Sequence, residues 1–546
     1  MSLHPLAGKR PPADMLIDID QLRNAYYDNT PDPTNPEQQL SFGTSGHRGS
    51  SLVGSFNEAH VVAVTRALVE YRKAQGITGP ILIGFDTHGL AWPAFITTVE
   101  VLAGAQTHFY YQKGDTPTPT PVISRAIIAA NREQPDKLSD GIILTPSHNP
   151  PEDGGFKYNP PHGGPADTDT TAWIEQRANE ILPNWQDVPR VEFSTARAGE
   201  YGHETDFIMP YVKALDSVVD MQAIAKAGVS IGVDPMGGAA LPYWQPIAQY
   251  YGLDLELVNA EQNPDFHFIP VDHDGKIRMD CSSPSAMSRL LELRDHYDVA
   301  FGNDADADRH GVVTAEGGLL NPNHYLSVAI DYLFTHRKQW SNQLQIGKTI
   351  VSSSMIDRVA AGIKRQVFET PVGIKWFQPG LTDGILGFGG EESAGATFLA
   401  RDGSVWTTDK DGIIMGLLAA EILAVTGKDP WMLFGDLTQR YGQPHYGRKD
   451  APISAAEKAR FKAFDPQTLS QTALAGEPIT AVRNTAPGNN APLGGLKIET
   501  DNGWFAARPS GTEAIYKIYA ESFVSTEHLK TIFTEAQKIV TDIIQS

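Results

Sequence analysis

Short runs of four to six residues, apolar almost throughout and each followed by a polar or glycine-rich loop, recur along this chain. They include ILIGF (81–85), GIIL (141–144), VSIGV (229–233), YDVAFG (297–302) and ILGFGG (385–390). A strand apolar on both faces must be covered on both faces, and this is the condition of a mostly parallel sheet between helices. Helical spacing fills the intervals. Asn57 is placed to cap a helix through about Gln75, with Val61, Val64 and Leu68 on one face, and further helices are predicted near 92–105, 123–130 and 241–251. Strands are also predicted at HFYYQ (108–112), LDLELV (253–258) and KTIVSS (348–353).

At 546 residues the chain is too long for one core. The pattern predicts three α/β domains with mixed or parallel sheets and a smaller C-terminal α+β domain, where βαβ spacing is lost. Joints are expected at 187–206, 317–324 and 443–452, giving domains 1–205, 206–322, 323–440 and 441–546. The polar, proline-rich segment 1–40 and the stretch 445–495 receive no role.

Lys and Arg number 44 against 65 Asp and Glu, a net charge of −21. That balance argues against nucleic acid or an anionic membrane as partner, yet a few local cations can still hold a small anion. Cys281 is the single cysteine, so no intrachain disulfide forms, and a reducing compartment is expected. The N-terminus lacks an apolar signal core, and no run approaches the ~18 apolar residues of a membrane span, so a cytoplasmic protein is expected.

In open α/β sheets, ligands bind outside the carboxyl ends of the strands. The loop GNDADADRHG (302–311) follows such a strand. If extended, it projects Asp304, Asp306 and Asp308 to one side. Three converging carboxylates call for a hard divalent cation, and oxygen ligands favour Mg²⁺ over Zn²⁺; the alternative is a solvated acidic turn. An EF-hand is excluded, because Arg309 stands where it needs glycine and Ala315 where it needs glutamate. ARPSGTE (507–513) offers Arg508, Ser510, Gly511 and Thr512, which suit a phosphate or an ordinary turn. GFGGEESAG (387–395) presents Glu391, Glu392 and Ser393, a set that suits a sugar's vicinal diol or an exposed turn. GTSGHRG (43–49) and GIKWF (373–377) each carry one cation, Arg48 and Lys375.

TPSHNPPEDGGFKYN (145–159) sets Ser147 among prolines. Thr145 and Asn149 both precede proline, so the loop is expected to be extended and stiff. Taken alone, Ser147 reads as a turn residue. In an extended segment His148 points away from it, and no G-x-S-x-G elbow is present, so a hydrolase triad is a poor fit.

Together, TPSHNP, the Asp-x-Asp-x-Asp-Arg loop, GEESAG and RPSGTE, in that order from about Ser41 to the C-terminus, resemble the α-D-phosphohexomutase superfamily. The resemblance implies four domains around a central cleft, each giving one loop. It implies that Ser147 carries a phosphoryl group and that Asp304, Asp306 and Asp308 bind Mg²⁺ together with an oxygen of phospho-Ser147. It further implies that Glu391 and Ser393 contact sugar hydroxyls, that Arg508, Ser510, Gly511 and Thr512 bind a distal phosphate, and that Arg48, Lys157, Arg309 and Lys375 line the cleft. The implied reaction interconverts α-D-glucose 1-phosphate and glucose 6-phosphate, with glucose 1,6-bisphosphate as intermediate and activator. Mannose or glucosamine phosphates, a sugar phosphatase and a non-catalytic sugar-phosphate sensor are the alternatives. The partners implied are a hexose phosphate and, at most, a second copy of the chain as a homodimer. Lys157 and Lys375, if neighbouring cations lower their pKa, and His148 are the candidates for proton handling.

Overall fold

A computed structural model describes residues 3–43, 46–509 and 515–545. The chain forms two compact units, Met1–Asn321 with Ser393–Pro430, and Pro322–Glu392 with Trp431–Ser546.

The first unit holds two sheets. The larger has seven strands in the order Phe42–Gly43, Gly46–Ser50, Asp153–Asn159, Asp140–Leu144, Ile81–Phe85, Phe109–Gln112, Gly202–Thr205. Its central strands Asp140–Leu144, Ile81–Phe85 and Phe109–Gln112 run parallel and are buried almost throughout. Helices Glu58–Gln75, Ala91–Gly104 and Thr120–Glu133 accompany them. The Asn57 amide donates to His60 Nδ1 at 3.0 Å, fixing the predicted start of the first of these. The second sheet has five strands, of which Ile231–Asp234, Val299–Asn303 and Leu255–Leu257 are parallel and His310–Thr314 is antiparallel.

In the second unit, Val367–Thr370, Gln345–Thr349 and Leu386–Glu391 pair in parallel. A separate antiparallel sheet runs His445–Pro452, Ile515–Ser522, Gly503–Pro509, Pro492–Glu499, Ala481–Thr485. Helix Thr526–Gln545 buries Leu529, Ile532, Phe533, Ala536 and Val540 against it, in i, i+3, i+4 spacing. Three α/β domains and an α+β domain are therefore present. No helix among the described residues is long and apolar enough to cross a membrane.

Several expectations are corrected. The strand predicted at 348–353 ends at Thr349. Ile350 and Val351 lie beyond it because their apolar surface packs with Trp504, Ala506 and Tyr519 of the C-terminal sheet. The segments 187–206 and 443–452, expected as joints, include the edge strands Gly202–Thr205 and His445–Pro452. The segment 1–40 has a packing role. Its helix Ile19–Asp28 buries Leu22 and Tyr26 in the first core, and the Tyr26 hydroxyl donates to Thr97 Oγ1 at 2.9 Å.

Asp234 ends a central strand and accepts the Met236 amide at 2.8 Å; burial lifts its pKa from 3.8 to about 6, against that bond and Arg289. A carboxyl with a raised folded pKa contributes stability that is fully present below its unfolded pKa and is lost as pH rises through 6. Asp234→Asn is therefore expected to gain stability relative to the parent between pH 4 and pH 8, by about 3 kcal/mol. Unfolding midpoints of both proteins across that range test it, and a pH-independent difference would refute it.

Candidate active site

The site in the first unit is assembled from strand ends. Asp140–Leu144 runs into Thr145, whose amide donates to Gly155 O at 3.0 Å and whose hydroxyl donates to Asp86 Oδ2 at 2.6 Å. Thr145 Oγ1 in turn accepts the Ser147 amide at 2.8 Å. The loop is not extended as expected. Ser147 has φ +59°, in the left-handed region, and the Asn149 amide closes a turn onto Pro146 O at 3.3 Å. Such a φ costs a non-glycine residue about 1–2 kcal/mol. It turns the buried Ser147 hydroxyl onto Asp304 Oδ2, where it donates at 2.8 Å.

The return strand Asp153–Asn159 is antiparallel to Asp140–Leu144, with Lys157 opposite Ile143. At Gly155 it passes so close to the Thr145 carbonyl that any Cβ there would collide with it. This strand delivers Lys157 Nζ to Asp306 Oδ2 at 2.6 Å and to Asp308 Oδ2 at 3.3 Å. Strand Gly46–Ser50 pairs alongside it and brings Arg48 Nη1 to Asn149 Oδ1 at 2.9 Å.

The three aspartates converge, but through a turn, not through the alternation of an extended segment. The Ala307 amide donates to Asp304 O at 2.9 Å, Ala307 has φ +55°, and the chain reverses into His310–Thr314. All three carboxylates are buried, with one oxygen of each within 4.8 Å of the others. The Arg309 amide donates to Asp304 Oδ1 at 3.0 Å, and its side chain lies 3.8 Å from Asp308 Oδ1.

Sequence reasoning missed three members of this cluster. Lys410 Nζ lies 2.9 Å from Asp308 Oδ2. The Thr120 hydroxyl donates to Asp306 Oδ2 at 2.6 Å, and its amide donates to Asp306 O at 3.0 Å. Asp280 stands near His148 and Arg309. Single residues distant in sequence leave no local pattern; the DKDG run at 409–412 was the only signal for Lys410.

The charges are strongly uneven. Burial, then Asp306 and Asp308, push the Asp304 carboxyl well up. Burial also raises Asp308, but Lys410, Lys157 and Arg309 outweigh it and hold Asp308 well below the usual carboxylate range. Burial lowers Lys157, but Asp306 and Asp308 outweigh it and raise the ammonium above its ordinary value, so the lowered pKa expected of Lys157 is not found. His148 is held well below its ordinary value by burial and then by Arg309, and its Nδ1 lies 3.4 Å from Ser147 Oγ. The left-handed turn is what brings these neighbours together.

The second unit carries other candidates. Glu391, at the end of Leu386–Glu391, accepts the Gly373 amide at 2.8 Å, and Glu392 accepts the Thr349 hydroxyl at 3.1 Å. Burial and then Glu391 raise the Glu392 pKa. Lys375 sits on the turn Ile374–Trp376, its ammonium 5.6 Å from the Trp376 ring centroid. Arg508 lies near the end of Gly503–Pro509, paired with Lys517 across the sheet. Ser393, half-buried in a turn before Gly395–Phe398, belongs to the first unit. Ser510, Gly511 and Thr512 lie outside the described residues.

Residues 39–184, 209–317 and 321–441 match the phosphoglucomutase/phosphomannomutase alpha/beta/alpha domains I, II and III, and 459–539 match the C-terminal domain of the same family. The chain is 55% identical over 540 residues to the phosphoglucomutase of Komagataeibacter xylinus, covering 99% of this chain and 97% of that protein. The chain belongs to the phosphoglucomutase/phosphomannomutase family. A phosphoglucomutase/phosphomannomutase of Thermococcus kodakarensis is 28% identical over 418 residues, covering 74% of this chain and 78% of that protein. A putative phosphomannomutase structure from Thermus thermophilus superposes with TM-score 0.72 at 25% identity, covering 94% of this chain and all of that one. Parafusin (phosphoglucomutase) of Paramecium, in its open form, shares the fold with TM-score 0.73 at 21% identity, covering 95% and 96%. Membership makes the chain an enzyme, an isomerase that works by phosphoryl transfer.

The triad suits a metal. Asp306 Oδ1 and Asp308 Oδ1 are buried acceptors without a hydrogen-bond partner among the described residues, which is costly unless a cation meets them. Asp306→Asn is expected to weaken Mg²⁺ binding roughly tenfold or more, measured by calorimetry; unchanged affinity would remove Asp306 as a ligand. Lys410→Met leaves Asp308 buried with one cation fewer and is expected to cost about 3 kcal/mol of stability. Added Mg²⁺ is expected to shrink that loss in a thermal melt, and a loss indifferent to Mg²⁺ would show that Lys410 and the cation do not share Asp308.

Proposed function

We propose that this family member interconverts α-D-glucose 1-phosphate and glucose 6-phosphate by way of phospho-Ser147 and glucose 1,6-bisphosphate. One observation carries the reading: a buried serine hydroxyl, held in an unfavourable backbone conformation, lies 2.8 Å from an aspartate of a carboxylate cluster that could hold a metal ion. The full-length likeness to a phosphoglucomutase supports glucose as the sugar.

In this reading Asp304, Asp306 and Asp308 would hold Mg²⁺ together with an oxygen of phospho-Ser147. Bound there, Mg²⁺ supplies Lewis-acid neutralisation of the phosphoryl oxygens. The chain's own part is positioning and electrostatics, which dominate phosphoryl transfer. Ser147 presents the phosphoryl group from a fixed turn. Arg48, Lys157 and Arg309 add fixed positive charge, Lys157 as a cation because Asp306 and Asp308 keep it protonated. Neutral His148 is the group that can accept a proton at Nδ1 or Nε2.

Glu391 and Ser393 would hold sugar hydroxyls, Lys375 would add a cation, and Arg508, Ser510, Gly511 and Thr512 would bind the phosphate that is not reacting. The bisphosphorylated sugar must turn around before returning its other phosphate to Ser147, so these contacts must accept it in both orientations. The boundaries 1–205, 206–322, 323–440 and 441–546 then delimit phosphoserine, metal, sugar and phosphate domains.

With Mg²⁺, glucose 1-phosphate and catalytic glucose 1,6-bisphosphate, the protein is expected to form glucose 6-phosphate, with a kcat/KM above those for mannose and glucosamine phosphates. Ser147→Ala is expected to lower turnover about 10⁴-fold or more while sugar-phosphate binding persists. Release of inorganic phosphate in place of glucose 6-phosphate would overturn the mutase reading, and full activity of Ser147→Ala would overturn the serine assignment.

A further inference from the structure

The turn that carries Ser147 is gripped at both ends by two neighbouring residues that the chemistry above does not use. Asp86 follows the central strand Ile81–Phe85, its amide donating to Leu144 O at 3.1 Å. Among the described residues its carboxyl group meets the Thr145 hydroxyl, which donates at 2.6 Å, the His88 amide, which donates at 2.9 Å, and His88 Nδ1 at 2.8 Å. The other nitrogen, His88 Nε2, lies 3.0 Å from the carbonyl oxygen of Asn149. Asp86 and His88 are buried, and the His88 ring lies against Phe266 with centroids 5.0 Å apart.

The partners of His88 point to a ring protonated on both nitrogens. A carboxylate and a backbone carbonyl both accept and neither donates, so each can bond the ring only if that ring nitrogen carries a hydrogen. A neutral imidazole has one such hydrogen and would leave a lone pair facing an acceptor at hydrogen-bond distance, in a buried site. Asp86 and Asp153 are the acidic groups that face the ring; Asp86 touches it directly, and Asp153 also accepts the Asn149 side-chain amide at 2.9 Å. Burial lowers the pKa of His88, but Asp86 outweighs it and the net direction is upward.

We propose that His88 is a permanently charged positioning residue: with Asp86 it forms a buried ion pair that clamps Thr145 from one side and the Asn149 carbonyl from the other, holding Ser147 in its left-handed conformation. The unfavourable φ at Ser147 needs such a restraint, because strained backbone persists only where its surroundings over-determine it. Thr145 passes the restraint on directly, since its Oγ1 accepts the Ser147 amide at 2.8 Å. The charge is also a second benefit to a loop that must carry a phosphoryl dianion. The effect on turnover rests on the phosphoserine reading of Ser147, whereas the charge of His88 does not.

Neutron diffraction from crystals of the full chain near pH 7.5 is expected to show deuterium on both Nδ1 and Nε2 of His88. A single deuterium would overturn the proposal, with no variant needed and whether or not the chain is a mutase. Kinetically, His88→Ala is expected to lower kcat for glucose 1-phosphate about 100-fold, with KM within about threefold, because a misplaced reacting group costs turnover more than binding. His88→Gln, which can keep one of the two contacts, is expected to recover part of that loss. A folded His88→Ala protein with parental kcat would refute the clamp. If the parent shows no mutase turnover while both ring nitrogens carry deuterium, the phosphoserine reading fails and the buried ion pair stands.

Discussion

Three carboxylates buried within 4.8 Å of one another set the terms for the rest of the first unit. At an effective dielectric constant of 20, each such pair, when ionised, repels by about 3.5 kcal/mol or more, before any cost of leaving water. The fold answers with three cations from three different elements: Lys157 from a return strand, Arg309 from the aspartate loop and Lys410 from the segment before helix Gly412–Thr426. The compensation is lopsided. Asp308 has Lys410, Lys157 and Arg309 about it and stays ionised, while Asp304 faces its two sister carboxylates and takes up protons readily. Asp306 and Asp308 each keep an oxygen with no hydrogen-bond partner among the described residues. A cluster balanced in this way is stable enough to fold and still short of positive charge where a cation would sit.

That cluster also explains how the first two α/β domains of the chain are tied. Thr120 opens helix Thr120–Glu133 beside the first sheet, yet its amide and hydroxyl both bond Asp306, which belongs to the second sheet's loop. Ser147 reaches Asp304 from the first sheet in the same fashion. The carboxyl ends of parallel strands converge here, which is where open α/β sheets bind ligands. The chain's overall charge of −21 is thus no obstacle to an anionic substrate, because local cations at a few ångströms outweigh distant carboxylates beyond the screening length.

The parts of this arrangement legible in the sequence are those that a single stretch specifies. Continuous apolar strands such as 81–85 and 141–144 announced buried parallel pairing, and the aspartate triplet announced a cluster of carboxylates that could hold a metal ion. Strands rich in glycine and polar residues, Gly46–Ser50 and Asp153–Asn159, gave no such signal; antiparallel pairing at the side of the sheet defines them, not an apolar run. Ile350 and Val351 misled in the opposite sense, since their apolar character serves packing against Trp504 and Tyr519, beyond the end of the strand. Lys410 and Thr120 were missed because what matters about them is a contact across more than a hundred residues of chain. The turn at Ser147 was misjudged for a related reason. Proline excludes helical angles from the residue before it, but the left-handed angle of Ser147 itself goes with partners that the local pattern does not show, Thr145 at its amide and the distant Asp304 at its hydroxyl.

The geometry at that turn separates a phosphoryl carrier from a hydrolytic nucleophile. A serine hydroxyl has one proton, and here it is directed to Asp304 at 2.8 Å. His148 Nδ1 lies close by at 3.4 Å, but it cannot accept the same proton at the same time. In a hydrolase triad the imidazole is the acceptor, oriented by an acid behind it, and the hydroxyl has no competing carboxylate. At this site the carboxylate comes first, and it belongs to a set of oxygens that suit a cation. Replacing the hydroxyl proton by a phosphoryl group would remove the donor that Asp304 now accepts and set phosphoryl oxygens against the same carboxylate. A cation between them would make that arrangement favourable. The serine's nearest partner therefore supports the proposed role of a phosphate carrier over that of a hydrolase nucleophile, and its histidine neighbour is close because the turn is left-handed.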